Sequence, residues 1–200
     1  VGRFFLMMRQ QRVLDDTFLL FTSDHGEMLG DHNLWRKTYG YEASARVPFV
    51  MRFPRQLQVE HNQEVESVVG WEDIMPTFLD LAGAPIPDTV EGKSMLPLLR
   101  GETDNWREYY HGEHSPCYHP ENANQYLTDG KWKYIWNPIT GVEQLFNLTN
   151  DPLECSELSG HSGHQETLEL WRGRMVHELA DRNEWLSDGE KLIPGPVPVV

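Results

Sequence analysis

Two Asp-His pairs lie close together in the chain, Asp24-His25 and Asp31-His32, and Arg36-Lys37 follows within a few residues. A carboxylate oxygen next to an imidazole nitrogen is a donor set suited to a divalent cation. A lysine in the loop that follows could return to the same cleft. Metal and ammonium together would draw charge from a transferring group, which suits an oxyanion ester. A plainer reading stays open beside it: Asp24 caps backbone N–H groups in a strand-to-loop turn and His25 is solvated. His32 reads either as a further member of the site or as loop structure.

A second concentration of titratable groups is "HGEHSPCYHPEN", with His111, Glu113, His114 and His119. Its spacing matches neither HExxH nor HxxEH, so a metal cluster is the weaker reading. His111 and His114 are expected at the surface or at the rim of a substrate pocket. Arg46 is expected to pair with Glu42.

These groups need elements to hold them. Residues 3–14, "RFFLMMRQQRVL", are rich in helix formers. "TFLLFT", residues 17–22, is a continuous apolar run of the kind seen in strands buried on both faces of a parallel sheet. "RVPFVMRFP" reads as a second strand of that kind. Asp24 and His25 would then sit where the first strand ends, the usual place for a ligand in an open α/β sheet. Gly26 would permit a sharp turn there. Asp73 to Ala82 reads as a helix with Asp73 as its N-cap, Ile74, Phe78 and Leu81 on one face, and Gly83 as its stop. Further on, Asp129-Gly130 between two strand-like runs is a hairpin signal, and "GVEQLFNL" reads as another strand. Trp132, Tyr134 and Trp136 alternate onto one face. Leu168, Trp171, Met175 and Leu179 mark an amphipathic helix. The tail "IPGPVPVV" shows no packing pattern.

The fold expected is α/β, a sheet flanked by helices, plus a small C-terminal antiparallel sheet packed with a helix. The divisions are 1–107, 108–190 and a tail, 191–200. With 200 residues the chain can bury a core, and 39% hydrophobic with 24% charged residues reads as soluble and globular. A net charge of −14 argues against nucleic acid, and no apolar run is long enough to span a membrane. Two cysteines, Cys117 and Cys155, are too few for a disulfide scaffold. The sequon Asn147-Leu148-Thr149 is present, and the compartment, whether cytoplasmic, periplasmic or secreted, stays open.

The block "TFLLFTSDHGEMLGDHNLWRKTYGYEASARVPFVMRFP" resembles the formylglycine-dependent sulfatases of the alkaline phosphatase superfamily. The resemblance continues through "DIMPTFLDLAGAPIP", "VEGKSMLPLLRGE", "DGKWKYIW" and "EQLFNLTNDPLECSEL", in the family's order. It implies hydrolysis of a sulfate ester, of a small molecule or a saccharide. It implies that Asp24 and His25 help bind a divalent cation, most often Ca²⁺, with Mg²⁺ or Mn²⁺ as alternatives. It implies that Lys37 contacts the sulfate group.

One departure is large. The Cys/Ser-x-Pro-x-Arg motif from which the family makes its formylglycine is absent. Cys117 is followed by Tyr118-His119 and Cys155 by Ser156-Glu157. The metal-binding aspartates that accompany the motif also have no counterpart. The expectation is therefore the C-terminal part of a sulfatase, whose N-terminal half would supply the formylglycine and the remaining ligands. Two ligands cannot satisfy a hard cation, so this piece alone is expected to lack turnover and to bind Ca²⁺ poorly. Two other functions share the same residues. One is a phosphonate monoester or phosphodiester hydrolase of the same superfamily, and the other is a non-catalytic remnant or interaction module.

Overall fold

A computed structural model describes residues 1–60, 62–116, 119 and 122–195. Cys117 lies outside the described residues. The chain divides into two compact units. The first comprises Val1–Asp24, Val47–Val65 and Glu72–Asp104; the second comprises His25–Arg46, Glu66–Trp71 and the chain from Asn105 onward. The architecture is mixed α/β, with antiparallel sheets and helices.

The first unit begins with helix α1, Gly2–Gln10, which buries only Met8. A 3-10 turn, Leu14–Asp16, leads to strand β1, Leu19–Phe21. Strand β2, Val50–Arg52, pairs with β1 in antiparallel register, Leu19 opposite Arg52 and Phe21 opposite Val50. This corrects the expected parallel strands buried on both faces. Phe21 is 53% exposed and Val50 61%. A continuous apolar run signals a buried strand but carries no information about the direction of its partner, and a ribbon of two strands leaves one face open. Arg52 holds the approach to β1 by donating to the Leu14 and Thr17 carbonyls and pairing with Asp15.

Helix α3, Ile74–Leu81, forms where expected, but it buries Pro76 and Thr77 while Phe78 stays half exposed. The Thr77 hydroxyl donates to the Asp73 carbonyl and accepts from the Met95 N–H, so its polar atoms are satisfied inside. Phe78 meets Phe18 edge-on, with ring centroids 5.0 Å apart. Asp73 occupies the cap position without capping the helix through its side chain. Its wholly buried carboxylate accepts from the Lys93 N–H at 2.9 Å.

The second unit is built on a four-stranded antiparallel sheet in the order β3-β4-β5-β6. The strands are β3, Tyr110–His114; β4, Asn124–Thr128; β5, Trp132–Trp136; and β6, Glu143–Asn147. The turn between β4 and β5 uses Gly130 at φ 83°, and Asp129 Oδ1 accepts from the Lys131 and Trp132 amides. Alternation sends Tyr134 and Trp136 to one face, with Trp132 beside them. Helix α4, Gln165–Leu179, covers that face with Leu168, Trp171, Met175 and Leu179. Arg172 of α4 grips Glu143 at 2.6 and 2.7 Å. The other face carries Ile135, Phe146 and Leu148. Short helix α2, Glu42–Ala45, and the loop before it lie in the same unit, and Tyr41 packs on that second face. The tail is pinned as far as Gly195, through Ile193 N–H to Leu186 O and Gly195 N–H to Pro138 O, both 2.8 Å. It packs further than its sequence suggests.

Among the described residues no helix is long and apolar enough to cross a membrane.

Candidate active-site loop

Asp24 lies three residues past the end of β1 and is exposed. Ser23 Oγ donates to its Oδ1 at 3.4 Å, a long contact that leaves the carboxylate oxygens only weakly engaged by that hydroxyl.

His25 opens the second unit. Its Nδ1 stands 2.6 Å from the Gly26 carbonyl, an acceptor, so Nδ1 carries the proton and Nε2 presents a lone pair. Lys37 Nζ donates to that Nε2 at 2.7 Å. The loop thus returns twelve residues on and places an ammonium against the imidazole. The backbone explains how. Gly26 N–H donates to Ser44 O and Met28 N–H to Arg36 O, both at 2.8 Å, and Gly30 N–H donates to Leu34 O at 2.9 Å. Gly26 serves close approach rather than a sharp turn: a Cβ there would stand 2.1 Å from the Ala43 carbonyl oxygen.

The loop is strained. Leu29, His32, Asn33, Arg36 and Thr38 all have positive φ, from 48° at Leu29 to 103° at Thr38. Thr38 is β-branched and buried, which makes its conformation the most costly of the five. Strain of this kind persists only where surrounding structure over-determines it, and it clusters at functional sites.

The surrounding structure is the second face of the sheet. Tyr41 donates its hydroxyl to Gln144 at 3.1 Å and meets Phe146 edge-on. His32 stacks flat on Tyr41, centroids 4.2 Å apart and planes 9° from parallel. Asn124 Nδ2 donates to the Thr38 carbonyl at 2.8 Å. Lys133, wholly buried in β5, pairs with Glu42 and lies 3.7 Å from Glu154. The Glu42 N–H donates to Glu154 Oε2 at 2.7 Å. Burial pushes the Glu154 carboxyl up to about 7, despite the opposing pull of Lys133. Arg46 pairs with Glu42 at 3.6 Å, as expected.

His111 and His114 sit three residues apart on β3 and so point to opposite faces. His111 is opposite Leu127, on the α4 side. Its Nε2 bonds Gln125 at 2.7 Å, and its Nδ1 lies 3.4 Å from Arg182 and 3.9 Å from Glu178. Glu113 joins this network at 2.8 Å from Arg182. Burial alone would raise the Glu113 carboxyl, but the hydrogen bond and charge of Arg182, with Gln125 and His111, together outweigh it and hold it low. His114 is opposite Asn124, on the face that carries the Lys37 loop, and its Nδ1 is buried with no hydrogen-bond partner. The two histidines therefore lie on opposite faces of the sheet.

Nothing in the local sequence marks Asn124 or Lys133 as a site residue. The one available signal for Lys133 was its place in "WKYIW", where it shares a face with Ile135.

Among the described residues no cluster of three or more His, Cys, Asp or Glu is placed to hold a metal. Asp24 and His25 supply one carboxylate and one imidazole nitrogen, donors that fit part of a divalent cation's shell.

The family model for N-sulphoglucosamine sulphohydrolase, C-terminal, matches residues 30–181. An arylsulfatase of Clostridium perfringens (strain 13 / Type A) is 41% identical over 196 residues, covering 98% of this chain and 40% of its own length. A structure solved in complex with its substrate D-glucosamine-2-N,6-O-disulfate matches with a TM-score of 0.78 at 25% identity, covering 90% of this chain and 37% of its own. The phosphonate monoester hydrolase of Agrobacterium radiobacter matches with a TM-score of 0.75 at 25% identity, covering 90% and 38%. The chain thus spans about two fifths of the length of these proteins.

Proposed function

Because the chain belongs to the sulfatase family described by the C-terminal N-sulphoglucosamine sulphohydrolase model, we propose that it is the C-terminal portion of a sulfuric ester hydrolase acting on a sulfated saccharide or small-molecule sulfate. In this reading residues 1–107 belong to the α/β core, 108–190 form the antiparallel subdomain, and 191–200 are a tail. An N-terminal half contributes the formylglycine and the remaining metal ligands.

The observation that carries the reading is the 2.7 Å contact between Lys37 Nζ and His25 Nε2. The Gly26 carbonyl holds the proton on Nδ1, so the Nε2 lone pair points toward Lys37 and accepts from it. A cation would take that nitrogen in place of the Lys37 hydrogen bond, releasing the ammonium toward the ester oxygens, with Asp24 adding a carboxylate oxygen. A divalent cation, Ca²⁺ by resemblance, supplies Lewis-acid charge to ester oxygens when bound. Lys37, stationed beside the ligand nitrogen, directs a second positive charge at the same group. His114 is the better of the two rim histidines, since its face of the sheet is the one that carries Lys37. His32 contributes by stacking on Tyr41.

The test is Lys37→Met in the complete enzyme, assayed on an aryl sulfate. The side chain is exposed, so folding should be unchanged, and kcat/KM should fall by about 100-fold or more, the usual cost of losing one charge-stabilising donor. A variant within twofold of the parent would remove Lys37 from the site. The likeness to a phosphonate monoester hydrolase sustains a second reading, and the ratio of kcat/KM for an aryl sulfate to that for an aryl phosphonate decides between the two.

A further inference from the structure

We propose that Asn124 is a positioning residue that sets Lys37 against His25 by holding the strained backbone at Thr38. The inference rests on the reading of Lys37 given above. Asn124 opens β4 and is buried. Both of its amide protons are committed: Nδ2 donates to Thr38 O at 2.8 Å and to Asn122 O at 2.9 Å. Two carbonyls around one end of the side chain fix which atom is nitrogen.

The other end is costly. Asn124 Oδ1 is buried and accepts no hydrogen bond. A residue chosen for packing would not leave a buried oxygen unpaired. The amide is there for its donors, and the long-range donor contact is to the carbonyl of Thr38, the residue after Lys37. Thr38 is buried, β-branched and at φ 103°, and Arg36 on the other side of Lys37 has φ 71°. Relaxing either residue would swing the lysine, because the loop between Gly26 and Arg36 is already closed by the Met28-to-Arg36 hydrogen bond. The backbone at Gly40 runs close to the same residues: a Cβ there would stand 3.2 Å from Tyr126 and 3.4 Å from Asn124 Oδ1.

Two measurements test the proposal. In the 200-residue chain, Asn124→Ala should move the His25 Nε2 resonance as the Lys37 hydrogen bond is lost, while Nδ1 keeps its proton on the Gly26 carbonyl. It should also speed exchange of the Met28 and Leu34 amides by about tenfold while amides of β5 and α4 keep their protection, the mark of a local opening. Unmoved His25 resonances, or equal acceleration everywhere, would overturn it. In the complete enzyme, a cycle of Asn124→Ala, Lys37→Met and the double variant is read as kcat and KM on an aryl sulfate. Asn124→Ala should lower kcat by about tenfold with KM within twofold, and the double variant should be no worse than Lys37→Met alone. Independent, multiplying losses would sink the positioning role and leave the Lys37 reading intact. A fully active Lys37→Met would sink that reading, while the resonance and exchange data still decide what Asn124 holds. If the alanine variant does not fold, Asn124→Ser, too short to reach Thr38 O, carries the same comparisons.

Discussion

His25 shows how one ring nitrogen determines what the other can do. The Gly26 carbonyl takes the Nδ1 proton, and this leaves Nε2 as the acceptor that Lys37 finds. Glu154 shows the same dependence on surroundings. Buried near Lys133 and Glu42, its carboxyl titrates at about 7 instead of 4.5. A raised carboxyl contributes stability that is fully present below 4.5 and is lost as the pH rises through about 7. Glu113 and Glu143, both held low by arginines, act in the opposite sense and lose their contribution as the pH falls below the ordinary carboxylate range. Glu154→Gln should therefore flatten the decline in melting temperature between pH 5 and pH 8 while leaving the acid limb in place. Parallel wild-type and variant curves over that interval would show that Glu154 does not titrate there.

At the scale of elements, the antiparallel sheet is the platform and its two faces do different work. One face is sealed by α4 through Trp171, which is 1% exposed, together with Met175 and Leu179. The other face receives Tyr41, Glu42 and Thr38 and so fixes the loop that bears Lys37. Trp171→Ala should lower unfolding stability by about 3–5 kcal/mol, since the sheet cannot collapse into the space left. The shift is read from the urea midpoint at unchanged m-value. A loss below about 1 kcal/mol would mean that α4 does not seat on the sheet as described.

For the whole molecule, the relevant fact is length. The chain spans about two fifths of its sulfatase relatives and carries no formylglycine motif. In the function proposed above Asp24 and His25 offer two donors where Ca²⁺ takes six to eight oxygen-rich ligands. Calorimetric titration of the 200-residue chain with Ca²⁺ should therefore give a Kd weaker than about 1 mM, outside the range of dedicated protein sites. The same chain should show no multiple turnover of an aryl sulfate. Tight stoichiometric Ca²⁺ binding or sustained hydrolysis would mean that the chain completes its own site.

The sequence by itself determined the family resemblance, the hairpin at Asp129-Gly130 and the buried stripe of α4. Each depends on spacing within a short stretch, where turn chemistry and periodicity act locally. The tertiary structure decided what lies far apart in the chain. Nothing in "TFLLFT" tells an apolar strand that its partner, β2, will run antiparallel. Nothing near His111 and His114 declares β3 a strand, yet its alternation sends them to opposite faces. Asn124 reaches Thr38 across 86 positions and Lys133 reaches Glu42 across 91. Such contacts are invisible to local pattern because a buried amide and a buried lysine resemble surface residues until the fold brings their partners to them.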